Sequence, residues 1–150
     1  MSMRKVALDT HALGDIVKTI TTQDGIFPLT VKGTSMEPFL KDRKTVVNLK
    51  KHEQVKTGRI YLFKHNEKLL LHRLIGVKEN TLLFRGDAQR TIEHAKHKDI
   101  LAEVQNYTYK NKTRNPDAFT LRIKTFLWNM LGPLRPKAAR FLHKRRHTHG

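Results

Sequence analysis

The sequence contains no cysteine, which excludes disulfide scaffolds, thiolate zinc sites, iron–sulfur clusters and cysteine nucleophiles. Long apolar runs are missing too. The longest stretch free of Lys, Arg, Asp and Glu is Thr125–Leu134, ten residues, where a bilayer-spanning helix needs about 20. No apolar core of a secretory signal follows Met1, because Arg4 and Lys5 lead straight into a polar helical pattern. A cytoplasmic location is therefore expected, with any membrane contact confined to the inner surface. Acidic residues are scarce: Asp plus Glu is 13 against 30 Lys plus Arg, a formal charge of +17 on 150 residues. The apolar share of 38% is a little below the globular norm, which suits one foldable domain carrying some loosely packed, charged sequence.

The excess charge is uneven. From Lys110 to Gly150 eleven basic residues face one acid, Asp117, giving +10, while the first 109 residues carry +7. The expected division is a body at 1–109 and a basic, helical tail at 110–150. Within the tail Phe119, Ile123, Phe126, Leu127, Met130 and Leu131 recur at helical steps, with Pro116–Asp117 as the start and Gly132–Pro133 as the stop. A second short helix is expected from Pro136 to His143, before Lys144, Arg145 and Arg146. A basic amphipathic helix with one Trp suits an anionic membrane interface over residues 115–146; the same stripe equally suits packing on the body. Nucleic acid is the weaker partner, because the tail has few aromatics for base stacking.

In the body, Asp9 reads as an N-cap for a helix with a Leu13, Ile16, Val17, Ile20 stripe ending before Gly25. Thereafter the pattern becomes strand-like: 27–32, 45–49, 59–64, 68–77, 81–85 and 100–109 are rich in Val, Ile, Leu, Phe and Thr and separated by turn residues. The segments 59–64, 68–77 and 81–85 form two expected hairpins. The expected class is α+β, mainly antiparallel β, with an N-terminal helix and a helical C-terminal extension.

Three segments carry candidate chemistry: Gly33-Thr34-Ser35-Met36-Glu37-Pro38 after a strand, Leu71-His72-Arg73-Leu74-Ile75-Gly76 within one, and Arg85-Gly86-Asp87 ending the next. A serine hydroxyl attacks only when a base takes its proton, and neutral imidazole does this near neutral pH. An acid on the other ring nitrogen fixes the tautomer. Backbone amides around Gly33 and Ser35 offer donors for a tetrahedral oxyanion.

In this order the segments resemble the signal peptidase and LexA-type serine peptidase superfamily, over roughly Leu29 to Val104 and including Lys56-Thr57-Gly58-Arg59-Ile60-Tyr61-Leu62-Phe63. The resemblance implies a nucleophile at Ser35, a general base at His72 and an acid at Asp87, with Glu93 as a second candidate acid. Thr34, Met36 and Pro38 would shape the loop and the substrate cleft. Many members carry lysine where His72 stands; histidine there is similar to the endoplasmic reticulum-type branch. Gly33 replaces the serine that signal peptidases often place two residues before the nucleophile, as in LexA-like members, so the oxyanion hole would rest on backbone amides, helped by Thr34.

The implied function is a serine endopeptidase cleaving a peptide or leader segment, in the maturation of a small exported or modified peptide. The alternative is a catalytically silent module of the same fold that binds nucleic acid or anionic membrane through the tail. No cofactor is expected. His94 and His97 could share a helical face, and His147 and His149 lie near the C-terminus, but neither pair has a third ligand at metal-binding spacing.

Overall fold

The computed structural model describes residues 10–116, 124, 127–134, 136–137, 139–140 and 142–143. The expected cap Asp9, the stripe residues Phe119, Ile123 and Phe126, and Asp117, Lys144, Arg145, Arg146, His147 and His149 lie outside them.

The fold is α+β and mainly antiparallel. Helix α1 (Thr10–Thr22) is followed by β1 (Phe27–Thr30), β2 (Val46–Lys50), β3 (Ile60–His65), β4 (Lys68–Lys78), β5 (Thr81–Arg85), β6 (Glu93–Ala95), β7 (Ile100–Tyr109) and β8 (Lys112–Arg114). Their order across the sheet is β1-β2-β7-β3-β4-β5-β6, with β8 on β7. Both expected hairpins are present, β3–β4 and β4–β5. The first closes through Asn66 and Glu67, at φ 47° and 61°, the left-handed pair that lets a two-residue turn follow the strand twist. The β7–β8 hairpin turns at Lys110–Asn111. The expected boundary between residues 109 and 110 therefore falls inside a hairpin, and strand pairing runs on to Arg114.

Strand β3 lies between β7 and β4 and is buried on both faces. Ile60 and Leu62 join a cluster with Val17, Met36, Leu49 and Val104. Tyr61 and Phe63 join a second with Leu74, Leu82 and Phe84. Successive strand residues point to opposite faces, so one strand feeds two cores. Helix α1 covers the first core through Gly14, Val17 and Thr21, which are buried. The expected stripe is rotated accordingly: Ile16 is 37% exposed. Gly14 explains the rotation, since a Cβ there would lie 3.3 Å from Lys64 Cε and 3.4 Å from Leu101 Cδ1, and its absence lets the helix approach the sheet on that side.

The segment bearing His94 and His97 departs from expectation. His94 sits in β6, while His97 opens a 3-10 turn, His97–Asp99, so they share no helical face. Among the described residues no cluster of three or more His, Asp or Glu could hold a metal. No helix among them is long and apolar enough to cross a membrane.

Candidate active site

Ser35 lies in the loop after β1. Val31 anchors the loop at both backbone groups: its N–H donates to Thr45 O at 2.9 Å, and its carbonyl accepts from Arg43 N at 2.7 Å. Gly33 turns the chain at φ +87°, a conformation that glycine adopts without Cβ strain. Its N–H donates to Asp42 Oδ1 at 2.8 Å. Gly33 is thus a loop-shaping residue whose amide is occupied, which removes it from the expected oxyanion pair. The Ser35 amide and the Thr34 hydroxyl have no partner among the described residues and remain available. Met36 is 1% exposed and anchors the loop in the first core. The Glu37–Pro38 peptide is cis, and the Pro38 carbonyl accepts from Lys41 Nζ.

His72 is brought to Ser35 by β4. The ring is buried and packs edge-on to Phe63, with 6.2 Å between centroids. Its Nε2 is 3.1 Å from Ser35 Oγ and its Nδ1 is 3.0 Å from Glu93 Oε2. With the proton on Nδ1, the ring donates to Glu93 and leaves Nε2 to accept from the serine hydroxyl. Glu93 reaches this point because β6 pairs it with Phe84. Residues directly opposite in an antiparallel pair share a face, and Phe84 stacks on Phe63 at 4.0 Å, beside His72.

Asp87, expected as the acid on His72, is engaged elsewhere. Its carboxylate accepts two bonds from Arg73, Nε to Oδ1 and Nη2 to Oδ2, each 2.9 Å. Arg73 also donates to Gly58 O at 2.7 Å. Both side chains of the pair are at most 5% exposed. The carboxylate on the imidazole is therefore Glu93, and Asp87 fixes the residue that follows His72 in β4. The Gly-Asp pattern signals a buried structural acid here, and its companion signal, the Arg directly after the His, was legible.

Gly86 brings the end of β5 against the serine loop. A Cβ at Gly86 would lie 2.6 Å from Ser35 O and 3.1 Å from Ser35 Cβ, so any side chain would push Ser35 away. Ala88 N donates to Ser35 O at 2.8 Å and completes the clamp. The clamp is itself covered by the C-terminal segment. Trp128 Nε1 donates to Asp87 O at 2.6 Å, its ring meets Phe39 edge-on at 6.3 Å, and it is 8% exposed. Of the two expectations for this Trp, packing on the body is the one observed.

Two hollows flank Ser35. One, of about 210 Å³, is lined mainly by apolar side chains, among them Leu29, Val31, Met36, Leu69 and Leu71, together with Lys32 and His72. Backbone edges border it: β1 ends the sheet, and the Lys68–His72 part of β4 pairs β3 on one side while β5 pairs only from Arg73 onward. The other hollow, of about 270 Å³, includes Thr34, Glu37, Gln89, Ala139, Arg140 and His143. Sequence reasoning missed it because Pro136, Ala139, Arg140 and His143 approach Ser35 only through the tertiary fold. Pro38 lines neither hollow.

Residues 7–99 match the sequence profile described as Peptidase S24-like. Among curated proteins the chain has no match.

Proposed function

The chain belongs to the Peptidase S24-like family, whose activity is of the serine-peptidase type, and on that premise we propose that it is an endopeptidase acting through Ser35, His72 and Glu93. The observation that carries this reading is the continuous chain of contacts from Ser35 Oγ to His72 Nε2 at 3.1 Å and from His72 Nδ1 to Glu93 at 3.0 Å. His72 takes the hydroxyl proton as Oγ bonds to the scissile carbonyl carbon. The resulting imidazolium is stabilised by Glu93 and returns the proton to the departing amine as the C–N bond breaks. Water, deprotonated by the same imidazole, then releases the acyl group. The free Ser35 amide and Thr34 hydroxyl supply donors toward the oxyanion. The pairing of serine with histidine is the feature similar to the endoplasmic reticulum-type signal peptidases.

The substrate is an extended peptide or precursor segment. Exposed strand edges accept an added strand through main-chain hydrogen bonds, and alternate side chains then fill neighbouring pockets. The edges of β1 and β4 border the apolar hollow, which suits apolar side chains on the acyl side of the cut. Maturation of a small exported or modified peptide is the proposed role. A second observation favours work at an anionic membrane surface: Leu127, Met130 and Leu134 are 57%, 70% and 57% exposed within a segment whose sequence carries +10. Apolar side chains surrounded by basic ones are the pattern of interfacial helices.

The test is a comparison of peptide N-termini in cells expressing the wild type and Ser35→Ala. New termini only with the wild type are expected. With a peptide substrate so identified, Ser35→Ala, His72→Ala and the double variant should lose activity by similar factors, on the order of 10⁴ or more, since the pair acts as one unit. Identical termini with both well-folded proteins would favour the catalytically silent module, acting through its basic tail.

A further inference from the structure

The polar hollow on the far side of Ser35 has no role in the chemistry described so far, yet Ser35 lines it as well as the apolar one. A peptide whose acyl side occupies the apolar hollow must continue past the scissile bond, across Ser35, into this second space. Its lining differs in kind. Arg140 enters it carrying a single described bond, Nε to Pro136 O at 3.2 Å, and no carboxylate lies within ion-pair distance of it among the described residues. The one acid of the lining, Glu37, is buried and already matched by His143 Nδ1, 3.0 Å from Oε2. Among the described lining residues the guanidinium is therefore the exposed charge with no ion-pair partner. A second feature lies beside it: Gln89 also lines the hollow, and its Oε1, buried on the Gly86 side, has no hydrogen-bond partner. A buried acceptor left unpaired is costly, and a donor arriving with a ligand relieves that cost.

We infer that this hollow is the leaving-group subsite, that Arg140 selects a carboxylate side chain within the first three residues after the cut, and that the Gln89 side chain turns its Oε1 into the hollow to accept a substrate N–H. The inference rests on the endopeptidase reading above and names its substrate class: apolar before the cut, acidic just after it. The guanidinium suits a carboxylate because its planar donors can meet both oxygens at once. Arg140 is exposed, so its preference is moderated by solvent.

The test uses the full-length protein and a library of decapeptides with fixed apolar residues before the cut and Asp, Glu, Ala or Lys in each of three positions after it. Cleavage is read by mass spectrometry, and binding of the same peptides, fluorescein-labelled, to Ser35→Ala by polarisation. The wild type is expected to favour acidic over lysine peptides by about three- to tenfold in kcat/KM, the scale of a partly exposed ion pair. Arg140→Glu should reverse the order, in cleavage by its own enzyme and in binding when combined with Ser35→Ala. Cleavage with identical profiles for wild type and Arg140→Glu overturns the subsite and leaves the peptidase standing. No cleavage, but an acidic preference in binding that Arg140→Glu reverses, overturns the peptidase and leaves the subsite. Neither cleavage nor a reversible preference overturns both.

Discussion

The two hollows beside Ser35 are built from different parts of the chain. The apolar one is lined from α1, the β1–β2 region, β3 and β4, all within the residues that match the family. The polar one needs Pro136, Ala139, Arg140 and His143, which lie beyond them. The catalytic contacts and the apolar hollow thus come from strand register, while the second wall comes from a segment latched on by Trp128. Strand register is a cooperative property of the whole sheet. A latch made of the Trp128 indole bond, its edge-on contact with Phe39, the Arg85–Asn129 bond and the His143–Glu37 contact can be opened with the sheet left standing.

The largest expected effects set two acids of the body against each other. Glu93→Gln removes the charge facing His72 Nδ1 and should lower kcat by on the order of 10² to 10⁴, the range in which a misoriented imidazole loses its function. Glu93 sits on an edge strand with 12% side-chain exposure, so the urea midpoint should move little. Asp87→Ala should do the reverse at first sight, costing about 3–5 kcal/mol of stability because Arg73 is left as an unpaired buried cation. A Glu93→Gln enzyme with full activity, or an Asp87→Ala protein as stable as the wild type, would cancel the distinction between the acid that orients the base and the acid that holds the strand.

The next contrast crosses from the body to the segment. Trp128→Phe keeps most of the apolar ring but leaves Asp87 O without its indole donor, which should cost about 1–3 kcal/mol. The discriminating readout is selectivity in the decapeptide assay. The acidic preference after the cut should flatten, because the segment bearing Arg140 loses one of its ties to the body, while the apolar preference before it survives. Loss of both preferences together would mean that the segment is as integral to the apolar hollow as the sheet is.

Much of this architecture was legible from residue patterns, and the exceptions have physical causes. The two central hairpins follow from short runs rich in Leu, Val, Ile, Phe and Thr between polar turns, and β5 and β7 begin and end where the patterning places them. Strand β6 was illegible because three residues, Glu93–Ala95, are too short to display a period, and without that strand nothing ties Glu93 to His72. Strand β8 is equally short and wholly exposed, so no hydrophobic pattern marks it. Ser35 and His72 were legible through their flanking motifs. The Asp87 reading failed because the motif shows that an acid is needed after β5 but not which base it meets, and the competition between Arg73 and His72 is decided by side-chain geometry.

The smallest expected effect concerns the outer face of the same latched segment. Trp128 is turned inward while Leu127, Met130 and Leu134 are turned out, so one short helical stretch grips the body with one face and is free to meet a surface with the other. Substituting Leu127, Met130 and Leu134 together by Ser changes side chains that are each more than half exposed. It should lower partitioning onto vesicles of anionic phosphatidylglycerol at least tenfold, since each large apolar side chain that leaves water contributes about 1.5–3 kcal/mol when fully buried and less at partial depth. Binding by the wild type should also weaken as salt is raised, because exposed basic residues act on anionic lipid only within a Debye length of about 10 Å at 0.1 M. Cleavage of a short free peptide should be unchanged in the triple variant. Equal vesicle binding by wild type and triple variant would assign the exposed apolar face to some surface other than lipid, while a parallel loss of peptide cleavage would show that the outer face, like the inner one, supports the wall of the active site.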